Sequence, residues 1–119
     1  MDKVYVFLAN GFEEVEGLTV VDILRRAGAD VKTVSITGDL RINGSHGIGV
    51  IADELFDEEK LGDGDMFVLP GGMPGTLYLG EHDGLGRLLL NAKKAGKKIA
   101  AICAAPGMVR MSFSPSKAS

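Results

Sequence analysis

The sequence is poor in cysteine and histidine and has no run of apolar residues longer than a strand. Its single cysteine, Cys103, cannot form an internal disulfide, and the two histidines, His46 and His82, add too few ligands for a zinc cluster. A lone cysteine agrees with a reducing compartment, so we expect a cytoplasmic protein. We also expect it to work without a metal or other cofactor.

The sequence also lacks an excess of positive charge. Its formal net charge is −3, whereas binding to nucleic acid or to an anionic membrane requires basic patches. Met1 is followed directly by Asp2 and Lys3 and then by a predicted strand, so we expect no secretory signal. The 119 residues, 45% apolar and 24% charged, are typical of a single soluble domain. We therefore expect neither a nucleic-acid partner nor a membrane.

Short apolar runs alternate with segments of helical periodicity. Buried strands are predicted at residues 4–8, 31–36, 66–69 and 99–102, a hairpin at 40–51, a charged turn at 57–60, and helices at 13–27 and 85–94. Pro106 fits the first turn of a further helix, since a proline costs no hydrogen bond there. This alternation predicts an α/β fold with a mostly parallel sheet and helices on both faces.

Ligands of such sheets bind beyond the carboxyl ends of the strands, and three loops of unusual composition follow predicted strands. They are residues 11–16, 70–75 and 102–106. The first loop carries three carboxylates where a phosphate would have to bind, and the glycines of the second fit neither G-x-G-x-x-G nor a P-loop. Nucleotide binding is therefore disfavoured.

Cys103 stands between a predicted strand and a predicted helix. At such an elbow the helix N-terminus stabilises a thiolate, so we expect a thiol pKa below the free value of about 8.5. A free cysteine is equally often a small buried hydrophobe. Gly71 and Gly72 directly follow a strand and bring backbone N–H groups to the same edge of the sheet, as an oxyanion site requires. This pair favours the nucleophile.

The acidic residues of the first loop have different expected roles. Glu13 and Glu14 are ordinary favourable partners of a helix dipole. Glu16 lies on another face and is expected to turn inward over the strand ends, where burial raises the pKa of a carboxyl. Neither histidine is placed to act as a base for the thiol: His46 lies in the hairpin loop and His82 at a polar helix start.

Five ordered motifs together resemble the ThiJ/PfpI family of the class I glutamine amidotransferase-like superfamily. The matching segments are residues 6–16, 22–28, 44–47, 68–72 and 100–106, that is VFLANGFEEVE, DILRRAG, GSHG, VLPGG and AAICAAP. Within the family the sequence is most similar to the branch of the Parkinson-disease-associated deglycase. The resemblance covers residues 3–108, so we expect one family domain over residues 1–108 and a tail outside the family at 109–119.

The resemblance implies a flavodoxin-like fold, usually in a homodimer. It makes Cys103 the reactive nucleophile and Glu16 the protonated acid beside it. The backbone N–H groups of Gly72 and Ala104 would form the oxyanion site, while Arg26 and His46 fall at interface positions near the pocket. The implied function is a glyoxalase or deglycase acting on methylglyoxal-like α-oxoaldehydes or on glycated proteins.

Alternatives remain open within the family. One is a non-enzymatic oxidative-stress sensor or chaperone acting through oxidation of Cys103. Another is an intracellular peptidase, disfavoured because Ala104 replaces the histidine that follows the cysteine in protease-type members. An amidotransferase-like hydrolase is disfavoured because Ala101 and Ala105 replace the usual glycines. The family domain continues well past the cysteine, so we expect this chain to lack the C-terminal part, to be less active than a full-length relative, and to self-associate.

Overall fold

A computed structural model describes residues 2–105 and 108–113, and for residues 103–105 and 108–113 it describes the backbone alone. In chain order the elements are β1 (Lys3–Leu8), α1 (Glu14–Arg26), β2 (Asp30–Ser35), β3 (Arg41–Asn43), β4 (Gly49–Ile51), β5 (Glu54–Leu55), a 3₁₀ turn (Lys60–Asp63), β6 (Met66–Leu69), α2 (Gly75–Glu81), α3 (Asp83–Lys94), β7 (Lys98–Ala105) and β8 (Met108–Phe113).

Six strands form the main sheet in the order β5-β2-β1-β6-β7-β8. Every neighbouring pair is parallel except β7 and β8, which are antiparallel. Strands β3 and β4 form a separate antiparallel hairpin, with Arg41 opposite Ile51. The predicted α/β fold with a mostly parallel sheet is confirmed.

Strand β1 lies at the centre of the sheet and is buried on both faces. Val4, Val6 and Leu8 belong to an apolar cluster with Val21 of α1. The alternate residues of the strand, such as Phe7, belong to a second cluster with α2 and α3. Because successive side chains of a strand point to opposite faces, helices cover both faces of the sheet.

The two long helices begin and end at signals that are visible in the sequence. Helix α1 ends at Arg26, and Gly28 follows with a φ of +93°, a left-handed conformation that suits glycine. In α3, Leu85, Leu88 and Ala92 are buried at helical spacing, and Gly96 follows the helix with a φ of +76°.

The structure differs from the sequence-based prediction in three shorter segments. Helix α2 and strand β5 were not predicted, and the charged turn lies at Lys60–Asp63, slightly later than expected. Strand β5 has only two residues, and α2 contains two glycines and no helical repeat of apolar residues, so neither gives a clear periodic signal.

The largest correction concerns the segment after Cys103. A helix beginning at Pro106 was expected, but residues 108–113 form strand β8, which pairs antiparallel with β7. Pro106 itself lies outside the described residues. Val109, Met111 and Phe113 alternate with Arg110 and Ser112, which is the period of a strand. Among the residues that the structure describes, no helix is both long and apolar enough to cross a bilayer.

Candidate functional site

The candidate site lies beyond the carboxyl ends of β1, β6 and β7, which are neighbours in the sheet. From β1 the chain passes first to β2 on one side and later to β6 on the other, so β1 and β6 flank a topological switch point. The loops after these two strands are joined by a hydrogen bond of 2.8 Å from the Glu13 N–H to the Gly71 carbonyl oxygen. The first and second loops therefore form one structural unit.

Glu16 lies in the first turns of α1 and is 2% exposed. Its Oε1 accepts a hydrogen bond of 3.0 Å from the Gly71 N–H. Burial raises the pKa of the Glu16 carboxyl above its ordinary value, the Gly71 hydrogen bond opposes this rise, and the nearby charge of Glu13 adds to it. The geometry gives a carboxyl that is more easily protonated than one in water.

Gly71 packs between Glu16 and the strand that leads to the cysteine. A Cβ on Gly71 would lie 2.7 Å from Glu16 Oε1 and 2.8 Å from the Ile102 carbonyl oxygen, so no side chain fits there. Ile102 directly precedes Cys103 in the chain. The glycine therefore brings the carboxyl of α1 against the backbone of β7, one residue before the thiol.

Gly72 has a φ of +103°, and a Cβ there would collide with the backbone of Gly11 and Glu13. Both reasons require glycine at this position. No described residue accepts a hydrogen bond from the Gly72 N–H. A free N–H at this place suits the oxyanion role that the family resemblance implies for Gly72, and the role itself stays a prediction.

Cys103 and Ala104 lie within β7, opposite Arg110 and Val109 of β8. The sequence placed them at a strand-to-helix elbow, but the described backbone continues as a strand to Ala105. A helix N-terminus therefore does not follow Cys103 in the described residues, and the expected low thiol pKa loses that physical support. The roles of Cys103 as nucleophile and of Ala104 as oxyanion donor stay predictions.

Glu14, two residues before Glu16, has a structural role at this site that the sequence did not reveal. It is 3% exposed, and it accepts hydrogen bonds from the backbone N–H groups of His46 (2.9 Å) and Ile48 (3.1 Å). The Ser45 hydroxyl lies 3.4 Å and His46 Nδ1 3.1 Å from its Oε1. These contacts span more than thirty residues of sequence, so no local pattern could have shown them. Glu14 fastens the hairpin loop, residues 44–48, to the start of α1.

The ionisation of Glu14 follows from these contacts. Burial by itself would raise its pKa, but hydrogen bonds from its own backbone N–H, from those of Ile48 and His46, and from the His46 side chain lower it to about 2. The same hydrogen bond, together with the charges of Glu13 and Glu14, raises the pKa of His46. His46 is thus exposed and more easily protonated than a free histidine, and it lies beside a buried anion.

Arg26, the other predicted interface residue, is not brought to this site within the chain. Its Nε lies 3.0 Å from Asp22 Oδ1 on the same helix, and both side chains are exposed. Ten residues of helix separate it from Glu16, which corresponds to about 15 Å along the axis. Its predicted role at an interface is left open.

Among the described residues, Glu13, Glu14 and His46 form a group whose possible metal-ligand atoms all lie within 4.8 Å of one another. The Glu14 oxygens already accept several hydrogen bonds, and Glu13 caps the helix by accepting from the Val15 N–H at 3.2 Å. Binding a cation would require breaking these contacts. These three side chains therefore lie together because they fasten the hairpin loop to the start of α1.

Comparison with known proteins identifies relatives over most of the chain. The model of the DJ-1/PfpI family matches residues 2–112. The chain is 38% identical to the Drosophila melanogaster protein dj-1beta, over 85% of this chain and 54% of that protein. It is 35% identical to the zebrafish (Danio rerio) Parkinson disease protein 7 homolog, over 87% of this chain and 56% of that protein.

A solved structure with a similar fold is that of Toxoplasma gondii DJ-1 in an oxidized form. It superimposes with a TM-score of 0.81 at 38% identity, covering 89% of this chain and 58% of that one. The chain thus spans little more than half the length of these relatives. The matched part includes the loops that carry Glu16, Gly71 and Gly72.

Proposed function

Because the chain belongs to the DJ-1/PfpI family, as its motifs predicted, we propose that it carries the cysteine site of a glyoxalase or deglycase. Its substrates are small α-oxoaldehydes such as methylglyoxal, or their early adducts on proteins. Cys103 is the nucleophile, Glu16 the proton carrier, and the N–H groups of Gly72 and Ala104 hold the oxyanion.

The observation that carries this proposal is the buried carboxyl of Glu16 against the backbone before Cys103. Glu16 Oε1 and the Ile102 carbonyl oxygen both lie within 2.8 Å of the position that a Cβ of Gly71 would take. Burial raises the pKa of the Glu16 carboxyl, so it holds a proton more readily than a carboxyl in water and is better suited to carry one between substrate atoms. A carboxyl with a purely structural role would gain nothing from such a shift.

The proposed reaction is an internal oxidation and reduction that consumes one water. The Cys103 thiolate adds to the aldehyde carbon, and the electron pair of the C=O bond moves to oxygen, giving a hemithioacetal. Glu16 removes the proton of that carbon, and the hemithioacetal hydroxyl passes its own proton to the neighbouring ketone oxygen. Glu16 then gives its proton to the second carbon as the first carbon becomes the thioester carbonyl. The product is a thioester of a 2-hydroxy acid. Water cleaves its C–S bond and restores the thiol.

The test is turnover of methylglyoxal to lactate by the purified chain and by single variants. We expect Cys103→Ala to abolish lactate formation and Glu16→Gln to reduce it by roughly a hundredfold, because an amide cannot carry the proton. Glu59→Gln, the same exchange at an exposed position, is the matched control and keeps wild-type turnover. Equal rates in the wild type and in Cys103→Ala would refute the proposal.

A second candidate function is a redox sensor or protective chaperone, and the oxidized form of the Toxoplasma relative favours it. In this case hydrogen peroxide oxidises the Cys103 thiolate to a sulfinate, and a protonated Glu16 donates a hydrogen bond to it. Glu16→Gln keeps a donor whereas Glu16→Leu removes it, so only the second variant should form much less sulfinate. Mass spectrometry after peroxide treatment measures this, and equal sulfinate in both variants would exclude Glu16 from the site.

We further propose that the protein is a cytoplasmic homodimer. The side chains of Val15 and Ile48 are 64% and 52% exposed. The Ile48 N–H donates a hydrogen bond of 3.1 Å to Glu14, the residue before Val15, so Val15 and Ile48 belong to the same part of the surface. Exposed apolar side chains that lie together are typical of protein interfaces. Light scattering gives the mass in solution, and a monomer would contradict this part of the proposal.

A further inference from the structure

A groove of about 500 Å³ lies beside residues 70–75, which we call the glycine loop, on the face of the sheet that α2 and α3 cover. A volume of this size is within the range of small-molecule sites. Its lining residues come from the ends of β6 and β7, the glycine loop and both helices: Leu69, Pro70, Gly71, Gly72, Thr76, Leu79, Gly80, Leu85, Gly86, Leu89, Ala101 and Ile102. None of these residues carries a charge.

The only polar side chain among the lining residues already makes a hydrogen bond within the protein. Thr76 is the one lining residue with a polar side chain, and its hydroxyl donates a hydrogen bond of 2.8 Å to the Gly72 carbonyl oxygen. An apolar group that enters the groove therefore leaves no side-chain donor or acceptor without a partner. It also removes leucine surface from water. The groove is suited to an apolar ligand.

Two glycines in helices keep the groove open. A Cβ on Gly80 of α2 or on Gly86 of α3 would meet no described heavy atom within 4 Å. Packing therefore does not require glycine at either position, and glycine inside a helix is less favourable than alanine by up to about 1 kcal/mol. Both residues line the groove.

The groove is continuous with the candidate catalytic site. Gly71 lines it and also donates its N–H to Glu16 at 3.0 Å, and Gly72, the proposed oxyanion donor, lines it as well. Ala101 and Ile102, at the end of the lining, directly precede Cys103. A substrate whose carbonyl oxygen is held at Gly72 would have this apolar space beside it.

We propose that the groove receives the substituent of the α-oxoaldehyde, so that the preferred substrates carry a bulky apolar group, aryl or branched alkyl. This inference rests on the proposed function, because it names the substrate class of the same site. Methylglyoxal leaves the groove empty, whereas a phenyl group fills part of it. We expect a kcat/KM for phenylglyoxal roughly tenfold to a hundredfold above that for methylglyoxal.

The test compares the two aldehydes in the wild type and in variants that fill the groove. Gly86→Leu places a side chain in the open space and should lower the ratio of phenylglyoxal to methylglyoxal kcat/KM at least tenfold. Gly62→Leu is the matched control, since a Cβ there also meets no described atom but the residue is not in the groove. It should leave the ratio unchanged. Should Gly86→Leu not fold, Gly86→Ala gives a smaller shift in the same direction at a position where alanine favours the helix.

Binding of acetophenone, an unreactive aryl ketone, separates the two proposals. Ligand-observed NMR should detect it with the wild type and with Gly62→Leu but not with Gly86→Leu. If the wild type turned over neither aldehyde, the proposed function would be overturned. Acetophenone binding with this pattern would still support an apolar binding site in the groove. Turnover with equal kcat/KM for both aldehydes, a ratio unaffected by Gly86→Leu, or no binding of acetophenone would overturn the groove proposal.

Discussion

Two carboxylates on the first turns of α1, Glu14 and Glu16, are almost equally buried yet have opposite ionisation behaviour. They are 3% and 2% exposed. Glu14 faces the hairpin loop, and its pKa is lowered to about 2. Glu16 faces the glycine loop, and its pKa is raised. Glu14 is therefore ionised, whereas Glu16, only two positions further along the same helix, is a carboxyl that holds a proton more readily.

The difference lies in the number of donors. Glu14 accepts hydrogen bonds from two backbone N–H groups of the hairpin loop and from the side chain of His46. Glu16 accepts one, from Gly71, and has the negative charge of Glu13 nearby. Burial disfavours the charge in both cases, and only the donors around Glu14 overcome it. We infer that Glu14 holds the structure together and that Glu16 is left free for chemistry.

The largest expected effect on stability comes from removing the Glu14 side chain. Glu14→Ala leaves the N–H groups of His46 and Ile48 without their acceptor and releases the hairpin loop, so we expect the Tm to fall by roughly 10 °C. Glu16→Ala removes a carboxyl that is costly to bury and deprives one N–H group of its acceptor. Its Tm should fall much less, as measured by differential scanning calorimetry.

Glu14→Gln is a useful intermediate, because it keeps an oxygen acceptor but not the charge. Its Tm should lie between those of the wild type and Glu14→Ala. If Glu14→Ala and Glu16→Ala were equally destabilised, burial alone would account for both residues, and the division into a structural and a chemical carboxylate would be wrong.

A smaller effect is expected in the pH dependence of stability. The pKa of Glu16 is raised on folding, so its contribution to stability is fully present below the unfolded value of about 4.5 and is lost as the pH rises through the folded value. Glu16→Gln does not titrate. Relative to the wild type it should therefore gain stability as the pH rises from 4 to 8.

Glu14 has the opposite sign. Its contribution is present above pH 4.5 and is lost as the pH falls toward 2, so Glu14→Gln should lose its disadvantage in strong acid. Urea unfolding at a series of pH values measures both differences. Curves that run parallel for Glu16→Gln and the wild type would show that the carboxyl titrates normally in the folded chain.

Much of the fold could be predicted from the sequence because its signals are local. The apolar run of β1 and the helical spacing of Leu85, Leu88 and Ala92 each arise within a few residues. Strand β8 was missed because Pro106 was interpreted as the start of a helix, although Pro-Gly, the dipeptide at 106–107, is also typical of turns.

The site could be predicted only in part. Glu16 and the glycine pair stand in motifs that point to the strand ends, and the structure brings Glu16 to Gly71. The role of Glu14 depends on a loop more than thirty residues away, which no local pattern encodes. The two carboxylates look alike in sequence, and only the partners supplied by the folded chain separate them.

The smallest expected effect is at the start of α3, which provides a local contrast to the start of α1. His82 Nδ1 accepts a hydrogen bond of 2.9 Å from the Leu85 N–H, so the side-chain cap is local to the start of α3. The ring also meets Phe56 edge-on, with centroids 4.5 Å apart.

His82→Ala and His82→Asp both remove the ring contact, but aspartate keeps an acceptor at the cap. We therefore expect His82→Asp to be more stable than His82→Ala by about 1 kcal/mol in urea unfolding. Because none of these contacts involves α1 or the hairpin loop, neither variant should change the Glu14–hairpin contact, which the amide exchange rates of His46 and Ile48 report. Faster exchange at those amides would show that the two helix starts are coupled through the sheet, and the contrast between a local cap and a long-range anchor would fail.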